Sequence, residues 1–123
     1  MSVILDTHIL LWSLVDHPRL NDEIRSVLDS NELYVSSLSC FEIQHKRVIN
    51  KLHGDVEVNE LFESGLFKEL PFNAQHAEYT INLPLIHRDP FDRMLIAQSI
   101  VEGIPLVTSD RYIQQYDFEF IGV

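Results

Sequence analysis

Cysteine occurs once in the 123 residues, as Cys40, so an intramolecular disulfide is impossible and a thiolate cage for a metal has too few ligands. Cys40 itself reads as a small buried side chain. Long apolar runs are also missing. Nothing approaches the roughly 18 consecutive apolar residues that a membrane-spanning helix needs, which argues against a membrane protein. No basic stretch followed by an apolar one precedes the strand-like segment beginning at Val3, so an intracellular, cytoplasmic location is expected. Positive charge is scarce, with 9 Lys and Arg against 19 Asp and Glu and a formal net charge of -10. Broad attraction to nucleic acid through phosphate neutralisation is therefore disfavoured. Repeats, low-complexity tracts and Gly/Ser linkers are absent too, and residues 1–123 read as a single domain.

What is present is a hydrophobic content of 46%, enough for one continuous core, arranged in alternating strand-like and helix-like segments. Val3–Leu5 reads as a strand, followed by an apolar helix from Ile9 to near His17 and Pro18. A second helix is expected over residues 22–30 and a second strand over Leu33–Ser36. Ser39 is suited to cap the next helix, through Phe41, Ile43, Val48 and Ile49, with Gly54 closing that segment. A short helix through Val58, Leu61 and Phe62, an edge strand at Leu70–Phe72 and a helix capped by Asn73 through Ala77 and Ile81 follow, until Pro84 breaks the pattern. The clearest helix start is Asp89 as cap, Pro90 at the first helical position and Asp92 in the first turn, with an end near Gly103. Pro105–Thr108, residues 110–116 and Phe118–Ile121 complete the chain as strand, helix and strand. Alternation of this kind predicts an α/β fold, a three-layer α/β/α sandwich around a central, mainly parallel sheet.

Ligands of such sheets bind beyond the carboxyl ends of the strands, where the next helices begin. Asp6 follows the first strand and Asp110 follows the strand ending at Thr108, while Glu42 and Asp92 sit in early turns of helices. Four carboxylates thus converge from distant parts of the sequence, and they repel one another unless protons or cations compensate. A hard divalent cation suits an all-oxygen site, magnesium first and manganese second. Each acid also has a plain structural explanation. Glu42 completes a capping-box pattern with Ser39, Asp89 and Asp110 can cap helices, and Asp92 gains from the helix dipole. Asp6 is hardest to explain this way, because a charge between an apolar strand and an apolar helix is costly when buried unpaired. Basic residues are unevenly spread: Lys46, Arg47 and Lys51 follow Glu42, and His87, Arg88 and Arg93 bracket Asp89 and Asp92, leaving room for a basic rim around an acidic pocket.

The segments Leu5-Asp6-Thr7-His8, Ser39-Cys40-Phe41-Glu42-Ile43, His87-Arg88-Asp89-Pro90-Phe91-Asp92-Arg93-Met94-Leu95-Ile96-Ala97-Gln98 and Val107-Thr108-Ser109-Asp110 resemble, in this order, the motifs of PIN-domain ribonucleases. They are most similar to the VapC-like toxins of toxin-antitoxin modules. The resemblance covers essentially the whole chain, and the His87–Gln98 segment is its most specific part. It implies a PIN-like fold and a Mg/Mn-dependent endoribonuclease in which Asp6, Glu42, Asp92 and Asp110 are the catalytic, metal-holding acids. Thr7 and Ser109 match nearby polar positions that assist coordination, and Asp89 is a secondary candidate. The partners implied are an RNA substrate, a cognate antitoxin and a second copy of the chain.

Arg88, Arg93 and Arg111, with His87, are candidate phosphate contacts, since guanidinium groups grip phosphate in a bidentate way. His8 reads as a structural or substrate-contacting residue. Trp12, with Leu11 and Leu14, reads as core, and a groove for an antitoxin helix is a secondary use. A magnesium-dependent phosphatase of the haloacid-dehalogenase type would need a second aspartate two positions after Asp6, where this chain has His8. A non-catalytic metal- or partner-binding module is the other alternative.

Overall fold

The computed structural model describes residues 1–49 and 56–123. Among these, five strands, β1 (Ser2–Leu5), β2 (Glu32–Ser36), β3 (Phe67–Leu70), β4 (Leu106–Thr108) and β5 (Phe120–Gly122), form one sheet in the order β3-β2-β1-β4-β5. Every pairing is parallel. The helices are α1 (Thr7–Leu14), α2 (Asp22–Ser30), α3 (Ser37–Val48), α4 (Ala74–Tyr79) and α5 (Pro90–Glu102). This is the α/β sandwich that the alternation of elements predicts.

Strand periodicity divides the core. Val3 and Leu5 of β1 join a cluster with Ile9 and Leu10 of α1, Ile24 of α2 and Ile43 of α3. Ile4 points to the opposite face and packs with Leu95 and Ile96 of α5, Leu106, Ile113 and Tyr116. Both faces of the sheet are therefore covered, as a parallel sheet requires.

Several boundaries differ from the sequence-based expectation. The edge strand is Phe67–Leu70, since Phe67 is buried opposite Leu33 and Pro71 has no N–H to continue a ladder. The helix expected around Val58 is a single 3-10 turn, Val58–Glu60, and the helix expected after Asp110 is another, Ile113–Gln115. The last strand begins at Phe120. Helix α3 starts at Ser37, because Ser36 at the end of β2 caps it by accepting the Leu38 N–H, so Ser39 is not the cap. Of the apolar residues assigned to that helix, only Ile43 is buried; Phe41, Val48 and Ile49 are exposed, as are Ile81 and Leu14 elsewhere. Leu11 and Trp12 do pack against the core, as does half-buried Cys40. Gly54 and Lys51 lie outside the described residues.

Helix α5 follows its sequence signals closely. Asp89 caps it through the Phe91 and Asp92 N–H groups, Pro90 opens it, and Gly103 ends it at φ +67°. The segment before it is anchored from two sides. The buried Tyr116 hydroxyl accepts the N–H groups of Ile86 at 3.2 Å and His87 at 2.8 Å, together with Arg93 Nη1 at 3.1 Å. Arg93 also donates to the carbonyls of Pro84, Thr80 and Leu83. Tyr116→Phe removes an acceptor from these donors and should lower the unfolding free energy by about 1–3 kcal/mol, read as a lower urea midpoint at constant slope. An unchanged midpoint would show that the hydroxyl anchors nothing.

Candidate metal centre

The register of the sheet sets three polar residues side by side at its carboxyl edge. Leu5 of β1 pairs with Val35 of β2 and Val107 of β4, so the next residues, Asp6, Ser36 and Thr108, share that edge and are all buried. Strands run from β1 through β2 to β3 in one direction and from β4 to β5 in the other, so Asp6 stands where the strand order reverses, the usual ligand position in an open parallel sheet.

Asp6 is 4% exposed, and its Oδ1 caps α1 by accepting the Ile9 N–H at 2.8 Å. Burial pushes its carboxyl above the usual range and the Asp110 charge adds to this, against hydrogen bonds from Thr108 and Ile9 and the charge of His8. Thr108 in turn accepts the Asp110 N–H at 3.0 Å. Asp110 uses Oδ1 to accept the N–H groups of Tyr112 at 2.8 Å and Ile113 at 3.0 Å, and its Oδ2 lies 3.8 Å from His87 Nε2.

Asp92 projects from the first turn of α5 to within 2.7 Å of His87 Nε2 through its Oδ2. Its carboxyl is pushed up to about 7, mainly by burial and then by the charges of Asp89 and Asp110, with His87 opposing. Glu42 approaches from α3. Its Oε1 accepts the Thr7 hydroxyl at 2.5 Å, Oε2 is 3.5 Å from Lys46 Nζ, and Thr7 shares a further 3.0 Å hydrogen bond with Ser39.

A cavity of about 230 Å³ joins these groups, lined by Asp6, Thr7, His8, Glu42, Lys46, His87, Asp89, Asp92 and Asp110. Every lining residue is polar or charged, and five are carboxylates. Ligand atoms of His87, Asp92 and Asp110 lie within 4.8 Å of one another, a spacing that a single cation can bridge.

The four acids of the expected quartet thus line one cavity, with Thr7 and Asp89 beside them. Asp89 both caps α5 and lines the cavity, while Arg93 binds Tyr116 and the carbonyls of Thr80, Leu83 and Pro84. Both Nη groups of Arg93 donate to these fixed oxygens, which makes the side chain a clamp on the preceding loop in place of the phosphate contact expected of it. Arg88 and Arg111 are exposed, and Ser109 is half-buried without lining the cavity. Glu42 stands in the second turn of α3, so its capping-box explanation falls away once Ser36 is the cap. Thr108 was not legible as a site residue, although it immediately precedes the Ser109-Asp110 pair. His87 was singled out only for phosphate, although its five-residue offset from Asp92 crosses a helix start.

A family model described as PIN domain matches residues 3–119. No curated protein matches the chain. Among solved structures, VapBC2 from Rickettsia felis bound to a promoter DNA fragment is similar with a TM-score of 0.72 and 17% identity, covering 99% of this chain and 98% of that one. DNA-bound VapBC from Salmonella typhimurium gives 0.69 and 18%, with coverage of 98% and 96%. FitAcB from Neisseria gonorrhoeae gives 0.68 and 19%, with coverage of 98% and 96%.

In the folded chain Asp92 keeps its proton up to about pH 7, whereas after unfolding it releases it near the ordinary value of 3.8. The folded state binds the extra proton between those values, so the associated stability is lost as the pH rises through about 7. Without divalent metal, the urea midpoint should fall between about pH 4 and about pH 7, and Asp92→Asn should flatten the decline. An equally steep decline in Asp92→Asn would assign the effect to another group.

Proposed function

The chain belongs to the PIN-domain family, and on that footing we propose that it is a metal-dependent endoribonuclease, hydrolysing RNA phosphodiester bonds as the toxin of a toxin-antitoxin pair. The observation that carries this assignment is the cavity where Asp6, Glu42, Asp89, Asp92 and Asp110 face one another, with Lys46 the one permanently charged cation among the described residues that line it. Carboxylates crowded in this way raise one another's proton affinity and attract cations.

The donor set fits a hard divalent ion, magnesium or manganese, because it is mostly carboxylate oxygen. Asp6, Asp92 and Asp110 would hold it, with Glu42 across the cavity and Asp89, Thr7 and Ser109 in supporting positions. Such an ion supplies a polarised phosphate oxygen and a bound water of lowered pKa. The side chains do the rest. Asp110 leaves Oδ2 free of backbone donors, so this oxygen can orient a water for attack. Thr7 fixes one oxygen of Glu42, and Lys46 beside the other offers charge to a phosphate. Arg88 and Arg111, adjacent in sequence to His87 and Asp110, are exposed and suited to gripping flanking phosphates.

The structural relatives are named as VapBC and FitAcB complexes, which supports a cognate antitoxin as partner. Exposed apolar side chains, among them Val48 and Leu85 at 83% and 73%, leave surface for that partner and for a homodimer. No helix among the described residues is long and apolar enough to cross a membrane. The substrate proposed is cytoplasmic RNA, acted on by a single nuclease domain.

Sequencing of RNA ends after brief expression should reveal new termini with the wild type that fall by at least about 100-fold with Asp92→Asn, a loss at the upper end of what even supporting residues of a metal site cause. Purified wild type should cleave RNA in magnesium or manganese and stop on chelation. Identical end profiles for the two proteins would sink the nuclease assignment and favour a non-catalytic binding module.

A further inference from the structure

We propose that His87 is a positioning residue for the metal-holding acids: its Nε2–H grips Oδ2 of Asp92 and leaves the other carboxylate oxygen to the cation. This rests on the metal-dependent assignment above and adds a residue to it. The imidazole is held on several sides. Its backbone N–H donates to Tyr116 at 2.8 Å, its ring stacks on Tyr112 at 5.2 Å between centroids and 28° between planes, and Nδ1 accepts the Asp89 N–H at 3.5 Å. Tyr112 is itself tied to the site, since its N–H donates to Asp110 Oδ1.

The position of Nδ1 decides between two roles. His87, Asp92 and Asp110 are close enough to share one ion, so direct ligation through Nε2 deserves comparison. A neutral imidazole carries one N–H, and a nitrogen that ligates a metal must offer its lone pair. Nδ1 faces the Asp89 N–H across a long 3.5 Å contact, so once Asp92 is ionised the tautomer with its proton on Nε2 is the one that suits both ring nitrogens. Nε2 then donates to Asp92 at 2.7 Å, and its 3.8 Å separation from Asp110 is too long for a second hydrogen bond. Hydrogen bonds of this kind to a ligating carboxylate fix its rotamer and restrict it to one free oxygen. The loop anchored by Tyr116 and Arg93 thus has a task in the site: it carries the imidazole that aims Asp92.

The test measures Mn²⁺ binding to the purified chain by electron paramagnetic resonance, with electron spin-echo modulation reporting any nitrogen bound to the ion. His87→Ala should weaken Mn²⁺ binding by about 10- to 100-fold, and His87→Gln, which keeps an N–H donor at similar reach, should recover most of the loss. Wild type should show no coupling from a directly bound imidazole nitrogen. A strong coupling of that kind would make His87 a ligand and overturn the proposal, and so would wild-type affinity in His87→Ala or no recovery in a folded His87→Gln. Absence of saturable Mn²⁺ binding by wild type would instead bring down the metal-dependent assignment, and this proposal with it.

Discussion

Five carboxylates share one small cavity, and the surrounding structure is organised around their mutual repulsion. Asp6 is almost wholly buried, and burial raises its proton affinity; Asp92 is shifted for the same reason and by its acidic neighbours. Concentrating charge in this way works against folding. The fold opposes the cost with helix N-termini. Asp6 accepts from α1, Asp89 from α5, and Asp110 from the turn that begins at Tyr112, each using Oδ1. A cap of this kind stabilises by about 1 kcal/mol, and the N-terminal end of the helix dipole favours the negative form.

Capping and metal holding are therefore not rival explanations of these aspartates. A carboxylate has two oxygens, and the cap occupies one. In the sequence the two roles compete for the same residue, and Asp89 in particular can be read as a plain helix cap. In three dimensions the backbone N–H groups of the cap fall on Oδ1 of each of these acids, which fixes its rotamer, and among the described residues none falls on the other oxygen. The parallel sheet makes the convergence possible, because its carboxyl edge gathers residues that follow different strands.

The features legible in the sequence are those written in local signals. Asp89-Pro90 and Gly103 bound α5, Asn73 caps α4, and the alternation of apolar segments gives the layers. What escaped was set by partners far away in the chain. Ser36 outcompetes Ser39 as the cap of α3 because β2 runs into the helix without a loop, which leaves Ser39 to meet Thr7, 32 positions away. Arg93 resembles a phosphate contact until Tyr116 and the Thr80, Leu83 and Pro84 carbonyls are seen to occupy it. Val48 and Ile81, apolar residues along expected helices, stand exposed, because which apolar side chains are covered depends on how distant elements pack.

Anomalous scattering from crystals soaked in Mn²⁺ would show whether the two oxygens of each aspartate divide their labour between backbone and ion. A peak is expected in the cavity among Asp6, Asp92 and Asp110, with Oδ1 of Asp6 and Asp110 still accepting the backbone N–H groups of Ile9, Tyr112 and Ile113 and the remaining oxygens turned to the ion. An empty cavity at saturating Mn²⁺, or an ion that pulls Oδ1 away from the Ile9 and Tyr112 N–H groups, would contradict it.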